Sequence, residues 1–237
     1  MATATDNFLP EALFKFDHLE TRVQKHLKKV YGTLSISMLA AAAGAYVHLF
    51  TGIISAGLLT ALGSIGMMIW LAATSHTKEN EQKRLAIFIG FTFLSGVSLG
   101  PLLDMVIQID PSIITTALMG TCLIFISFSL AALYNTNRTY LYFGGMLLSA
   151  LSWMCLLTLM NIFFRSKMIY DLNLYGGLVI FCGFVLYDTQ LIIEKARRGD
   201  DDYIWQCVDL FLDFINIFRR LLIILANKEG NKKKRKD

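Results

Sequence analysis

Apolar residues along this chain gather into long runs separated by short polar breaks. The runs cover about 31–50, 52–73, 85–109, 112–134, 141–164 and 172–193. Each is close to the ~20 residues that a helix needs to cross the hydrocarbon core of a bilayer, so six spans are expected. The breaks at 108–111 and 135–140 are too short to separate domains, and they make successive spans antiparallel neighbours in one bundle. No repeat at a fixed period runs through the chain, which argues against a transporter built from two halves.

A seventh run, IWQCVDLFLDFINIFRRLLIILA at 204–226, is long enough to span but carries Asp209, Asp213, Arg219 and Arg220. Ionised side chains cost roughly 2.5–3.5 kcal/mol each at mid-bilayer even on a lenient scale, so this segment is not expected to face lipid on all sides. Asp209, Asp213, Asn216 and Arg220 recur at spacings of four, three and four, which places them in one stripe of a helix. The expected fold is an all-α membrane protein of seven hydrophobic helices, six around a central C-terminal helix whose polar stripe turns inward. The sixth span ends FVLYDTQLIIEKARRGD, with Asp188 near its polar end. If that span reaches about Lys195 and the last helix starts near Tyr203, then Asp188, Asp209 and Asp213 all lie roughly 9–15 Å below the turn at 1.5 Å per residue. Carboxyls brought together in such a layer share a proton more readily than they both ionise, which makes a pH-sensitive latch. Capping, or pairing with Arg219, Arg220 or Lys195, is the plainer role for the same acids.

Composition agrees with the pattern: 55% of the 237 residues are hydrophobic and 17% charged, with a mean hydropathy of +0.53, against about 25% charged in a soluble domain. Most charges sit in the termini and alternate loops. The first 29 residues hold Lys15, Arg22, Lys25, Lys28 and Lys29, the loop 74–84 holds Lys78, Lys83 and Arg84, and Arg138, Lys195, Arg197 and Arg198 follow in the next two loops of that side. The opposite loops hold only Arg165 and Lys167, so the N-terminus is expected to be cytosolic. The N-terminal segment has no apolar core of a signal peptide. Its Leu13, Phe16, Val23, Leu27 and Val30 recur at helical spacing, as in an amphipathic helix lying on a membrane surface or in a helix end extended into solvent. Three parts are thus expected: that segment at 1–29, a single bundle at 30–226 and a basic tail at 227–237. The +4 net charge fits attraction to an anionic leaflet and not to nucleic acid.

HLKKVYGTLSISMLAAAAGAYVH, FLSGVSLGPLLDM, GFVLYDTQLIIEKARRGDDDYIWQCVDLFLDFINIFRRLL and the lysine-rich end together resemble the transmembrane Bax inhibitor motif family over nearly the whole chain. The resemblance implies a multi-pass endoplasmic reticulum protein that suppresses apoptosis, lowers luminal Ca²⁺ through a proton-sensitive leak, and restrains the sensor kinase of the unfolded-protein response. It also implies Ca²⁺, protons, membrane lipids and anti-apoptotic Bcl-family proteins as partners, with no cofactor. It assigns the pH-sensing aspartyl pair to Asp188 and Asp213, with Asp209 one turn away, and links the tail residues Lys232, Lys233, Lys234, Arg235 and Lys236 to pH-dependent activity on the cytosolic side. Bacterial relatives latch the pair with an arginine in the second span, whereas 52–73 here contains no Arg or Lys. Arg219 or Arg220 would have to substitute. Seven full crossings from a cytosolic N-terminus would put the basic tail in the lumen, against the positive-inside tendency. Six crossings and a re-entrant last segment, shielded by protein, would return it to the cytosol.

Two other functions fit less of the chain. A non-conducting interaction protein would use its spans only to dock partners. An intramembrane aspartyl protease is favoured by Tyr187-Asp188 alone, since Val208-Asp209-Leu210-Phe211-Leu212-Asp213 lacks the Gly-x-Gly-Asp such enzymes need, and no catalytic residue is expected. Gly96, Gly100 and Pro101 read as a close helix contact with a kink, and Asp104 as a solvated helix end. Asp200, Asp201 and Asp202 read as a solvated acidic loop without the spacing of an EF-hand. Cys122, Cys155, Cys182 and Cys207 lie inside spans, and His18, His26, His48 and His76 are scattered, so no metal site is expected.

Overall fold

A computed structural model describes residues 19–51, 56–135 and 139–233. Among them are seven α-helices and no strand: α1 (Thr21–Tyr46, continued by a π turn at Val47–Thr51), α2 (Leu58–Ala73), α3 (Glu81–Ile109), α4 (Ser112–Tyr134), α5 (Gly144–Phe164, preceded by a 3₁₀ turn at Thr139–Phe143), α6 (Lys167–Arg198) and α7 (Tyr203–Lys233). The fold is an all-α membrane protein. Five stretches are long and apolar enough to cross a bilayer: Thr21–Thr51, Lys78–Ile109, Ser112–Tyr134, Thr139–Phe164 and Lys167–Arg198.

The second expected span is shorter than its apolar run. Helix α2 has 16 residues, about 24 Å against a hydrocarbon core of about 30 Å. Its start is fixed locally: Gly57 is extended, and its N–H donates to Thr60 Oγ1 at 2.9 Å. The N-terminal boundary also moves. Helix α1 runs unbroken from Thr21, with Val23 and Val30 fully buried and Leu27 nearly so, because its first turns pack against α7. Val23, Leu27 and Val30 therefore belong to the core face of the first spanning helix and not to a separate surface-lying one. Leu13 and Phe16 lie outside the described residues.

Helix α7 is the axis. Helices α1, α3, α4 and α6 pack against it, while α2 rests on α3 and α5 on α6, so the expected ring of six is an inner four with two outer supports. Leu210, Phe211 and Ile217 are wholly buried. The Phe211 ring meets those of Phe88 and Phe91 edge-on at 6.2 and 5.9 Å, and Phe214 meets Phe125 at 5.6 Å, the offset geometry that aromatic quadrupoles favour. Small residues bring α1 and α3 together. A Cβ at Gly96 would collide with the backbone of Ala41, and one at Gly44 with the backbone of Phe93. The reading of Gly96 as a close-contact position thus holds, with α1 as its partner.

The chain reverses sharply between α6 and α7. Gly199 adopts the left-handed conformation at φ 94°, its N–H reaches Ala196 O and that of Asp200 reaches Lys195 O, the pair of bonds that closes a helix in a Schellman motif. Helix α7 then continues without a break for 31 residues, about 46 Å. Near its end Lys233 Nζ donates to Ile109 O at the end of α3, whereas its start lies beside Arg22 and Arg84 at the other end of the bundle. The last segment is a full traverse and not the re-entrant hairpin considered from the sequence. Lys232 and Lys233 sit at the end opposite the start of α1, and Lys234, Arg235 and Lys236 lie outside the described residues.

Candidate functional site

The polar stripe of α7 faces α6. Helix α6 continues to Arg198, so Asp188 lies ten residues before its end, and Asp213 lies ten residues after the start of α7 at Tyr203. In an antiparallel pair with equal rise per residue these two positions meet at one level. Asp188 is 8% and Asp213 4% exposed, and their carboxyls face each other within hydrogen-bonding reach. An ionised carboxylate only accepts, so a hydrogen bond between two carboxyls requires that one of them hold a proton. Asp213 Oδ2 is buried without a hydrogen-bond partner among the described residues.

Asp209, one turn nearer the α6–α7 reversal, acts electrostatically on both members of the pair and on Tyr187. Lys195 on α6 is the cation whose charge reaches Asp188 and Asp209, and it does so without a direct ion pair. Around the pair, Thr189 is wholly buried and its hydroxyl lies 3.5 Å from Tyr31 Oη. His26 on α1 contacts Gln206 on α7 at 2.6 Å. Three carboxyls, with one lysine acting from a distance, thus lie along the contact between α6 and α7. Such a group holds or releases protons at a helix–helix contact, which is a means of changing how the two helices pack.

The expected arginine partners are elsewhere. Arg220 Nη1 donates to the Asn173 carbonyl at 2.7 Å, its guanidinium stacks over Phe181 at 5.2 Å, and it lies against Gly177. Arg219 is exposed. Arg220 follows Asp213 by nearly two turns, so it meets α6 too far from Asp188 to pair with it. Among the described residues no group of three His, Cys, Asp or Glu side chains is arranged to hold a metal ion.

The acidic triplet is not simply a solvated loop. Asp202 Oδ1 and Oδ2 accept from Arg84 Nη1 and Nη2 at 2.8 and 2.7 Å, and Oδ1 also accepts from the Trp205 N–H at 3.2 Å, so one residue caps α7 and clamps α3. Arg84 is 3% exposed and also contacts His76 at 2.7 Å. Burial works against ionisation of Asp202, but the hydrogen bonds from Arg84 and the Trp205 amide outweigh it and hold the carboxyl below its usual range. Asp201 pairs with Arg22 at 3.2 Å. At the opposite end Asp104 is exposed, as expected for a solvated helix end, and its Oδ2 also lies 3.3 Å from His48 Nε2. Apart from the Trp205 cap, these contacts join residues 8 to 179 positions apart in pairs of ordinary polar types, and no local spacing announces them.

A family model described as "Inhibitor of apoptosis-promoting Bax1" matches residues 23–230. The chain belongs to this Bax1 inhibitor family. It is 59% identical over 226 residues to "Bax inhibitor 1" of Bos taurus, covering 95% of this chain and 96% of that one. It is 58% identical to the protein of the same name from Homo sapiens, over 95% of each chain. Against "Bax inhibitor 1" of Arabidopsis thaliana identity is 44%, over 94% of this chain and 89% of the other. The Bax1 inhibitor family match takes in every described carboxyl of the α6–α7 contact and Arg84.

Proposed function

We propose that this protein restrains apoptosis from within the endoplasmic reticulum membrane, acting as a pH-sensitive Ca²⁺ leak whose gate is the Asp188–Asp213 pair with Asp209 beside it. The single observation that supports the reading most is the buried carboxyl–carboxyl contact between α6 and the axial helix α7. Loss of the shared proton puts two like charges in a space of low dielectric, which drives the helices apart. Gain of the proton restores the closed contact. The carboxyls act here as a gate and not as peptide-cleaving acids. Family membership supports the anti-apoptotic role, and the N-terminus is taken as cytosolic from the loop charges. By the same family resemblance the unfolded-protein-response sensor kinase and anti-apoptotic Bcl-family proteins are its partners.

Reconstitution tests the reading. Purified protein in liposomes loaded with a Ca²⁺ dye is expected to conduct, with a rate that changes across a pH step between about 5 and 8, where shared carboxyl protons exchange. No flux at any pH would replace the leak with the second reading, a non-conducting protein that acts by docking partners.

A further inference from the structure

The end of the bundle that carries the Arg84–Asp202 clamp also holds a crevice of about 500 Å³ that the gate does not use. Its walls come from three separate segments: Arg22, Lys25 and Lys29 on α1, Lys78 in the α2–α3 loop, and Glu81 and Asp201 on the facing side. Both acids are engaged. Asp201 pairs with Arg22 at 3.2 Å, and Glu81 Oε1 accepts from Tyr203 Oη at 2.8 Å. Lys29 lies 5.5 Å over the Tyr203 ring. Among the described residues no carboxylate pairs with Lys25, Lys29 or Lys78, so three ammonium groups converge on one water-accessible space with their charge uncompensated. A volume of this order suits a small ligand, and the chemistry suits a compact anion with several charges.

The depth of the crevice narrows the ligand. Lys29 lies two residues before the apolar run that begins at Tyr31. Trp70, half-exposed under Lys83 at 5.6 Å, stands at the same end, as tryptophans do at the headgroup level. Basic pockets between helices at that level suit phosphorylated lipid headgroups. We propose that the crevice binds the phosphomonoester headgroup of an anionic phospholipid, held by Lys25, Lys29 and Lys78, so that one headgroup ties α1 to the α2–α3 loop beside the start of α7.

The test uses the full chain in phosphatidylcholine nanodiscs containing a few per cent phosphatidylinositol bisphosphate, with bound lipid counted by native mass spectrometry and affinity measured with a short-chain fluorescent analogue. The combined variant Lys25→Gln, Lys29→Gln, Lys78→Gln is expected to weaken binding roughly tenfold or more. Lys232→Gln with Lys233→Gln, at the far end, is expected to leave it unchanged. All five side chains are exposed, so the variants should keep the wild-type melting temperature, which is measured alongside. Equal affinity of wild type and the triple variant, or an equal loss in the far-end variant, overturns the site. Soluble inositol trisphosphate binding as tightly as the lipid would overturn the lipid assignment in favour of a free phosphate ester.

Discussion

Asp188 on α6 and Asp213 on α7 face each other within hydrogen-bonding reach in the interior of the bundle, and Asp213 Oδ2 has no hydrogen-bond partner among the described residues. A contact of this kind is stable only while it holds a proton. It joins the axial helix to a neighbour, and in the function proposed above its protonation state sets how α6 packs against α7.

Asp202 anchors the same hairpin from the turn between α6 and α7. Asp202→Ala removes a bidentate partner of nearly buried Arg84 and the cap of α7, and should cost about 3 kcal/mol. Asp202→Asn keeps a capping side chain and should cost less. Thermal unfolding in detergent checks the order, with wild type most stable and Ala least.

The same residue sets an acid-side dependence of stability. Its carboxyl is held below the ordinary range by Arg84 and the Trp205 amide against the opposing effect of burial. Its contribution is therefore complete above the unfolded carboxylate value of about 4 and is lost as pH falls through the lower folded value. Melting temperatures taken down to about pH 3 should converge for wild type and Asp202→Asn.

Gly96 has no room for a side chain against the Ala41 backbone. Gly96→Val should separate α1 from α3 and cost about 1–3 kcal/mol or more, the usual range for overpacking. Gly100→Ala, whose nearest neighbour is the His48 ring rather than backbone, should be milder because a side chain can turn aside. Melting curves of the two variants make the comparison.

Gly199 closes α6 at φ 94°, and a Cβ there would meet only the Arg22 guanidinium at an ordinary van der Waals distance of 3.5 Å. Gly199→Ala should cost about 1 kcal/mol from backbone strain alone, whereas Gly199→Asn, tolerated in that conformation, should cost less. The same melting assay separates them.

Much of the architecture was legible because bilayer length and apolar runs constrain the same helices. The stripe of Asp209, Asp213, Asn216 and Arg220 marked α7 as the axis, and counting back from the turn put Asp188 in one layer, roughly 9–15 Å deep, with Asp209 and Asp213. That count set Asp188 nearer Asp209, because the sixth span was taken to end at Lys195 and the helix continues to Arg198. Two kinds of information were missing. Helix ends depend on single local bonds, such as Gly57 to Thr60, which shorten α2 within an apolar run that looks long enough. Contacts between ends, such as Arg84 to Asp202 and His48 to Asp104, join residues far apart in sequence or at different loops. Arg84 looked like an orientation charge because its burial depends on the α6–α7 turn folding over it. Arg220 looked like a latch because spacing gives its helix face but not how far along α6 it reaches.

Ca²⁺ release from dye-loaded liposomes across a pH step, compared for wild type and Asp213→Asn, tests the central claim most directly. If the carboxyl pair is the gate, the wild-type rate changes with pH and the Asn variant, still folded by its melting curve, conducts at a rate that no longer follows pH. An Asp213→Asn protein whose flux retained the full wild-type pH dependence would contradict it.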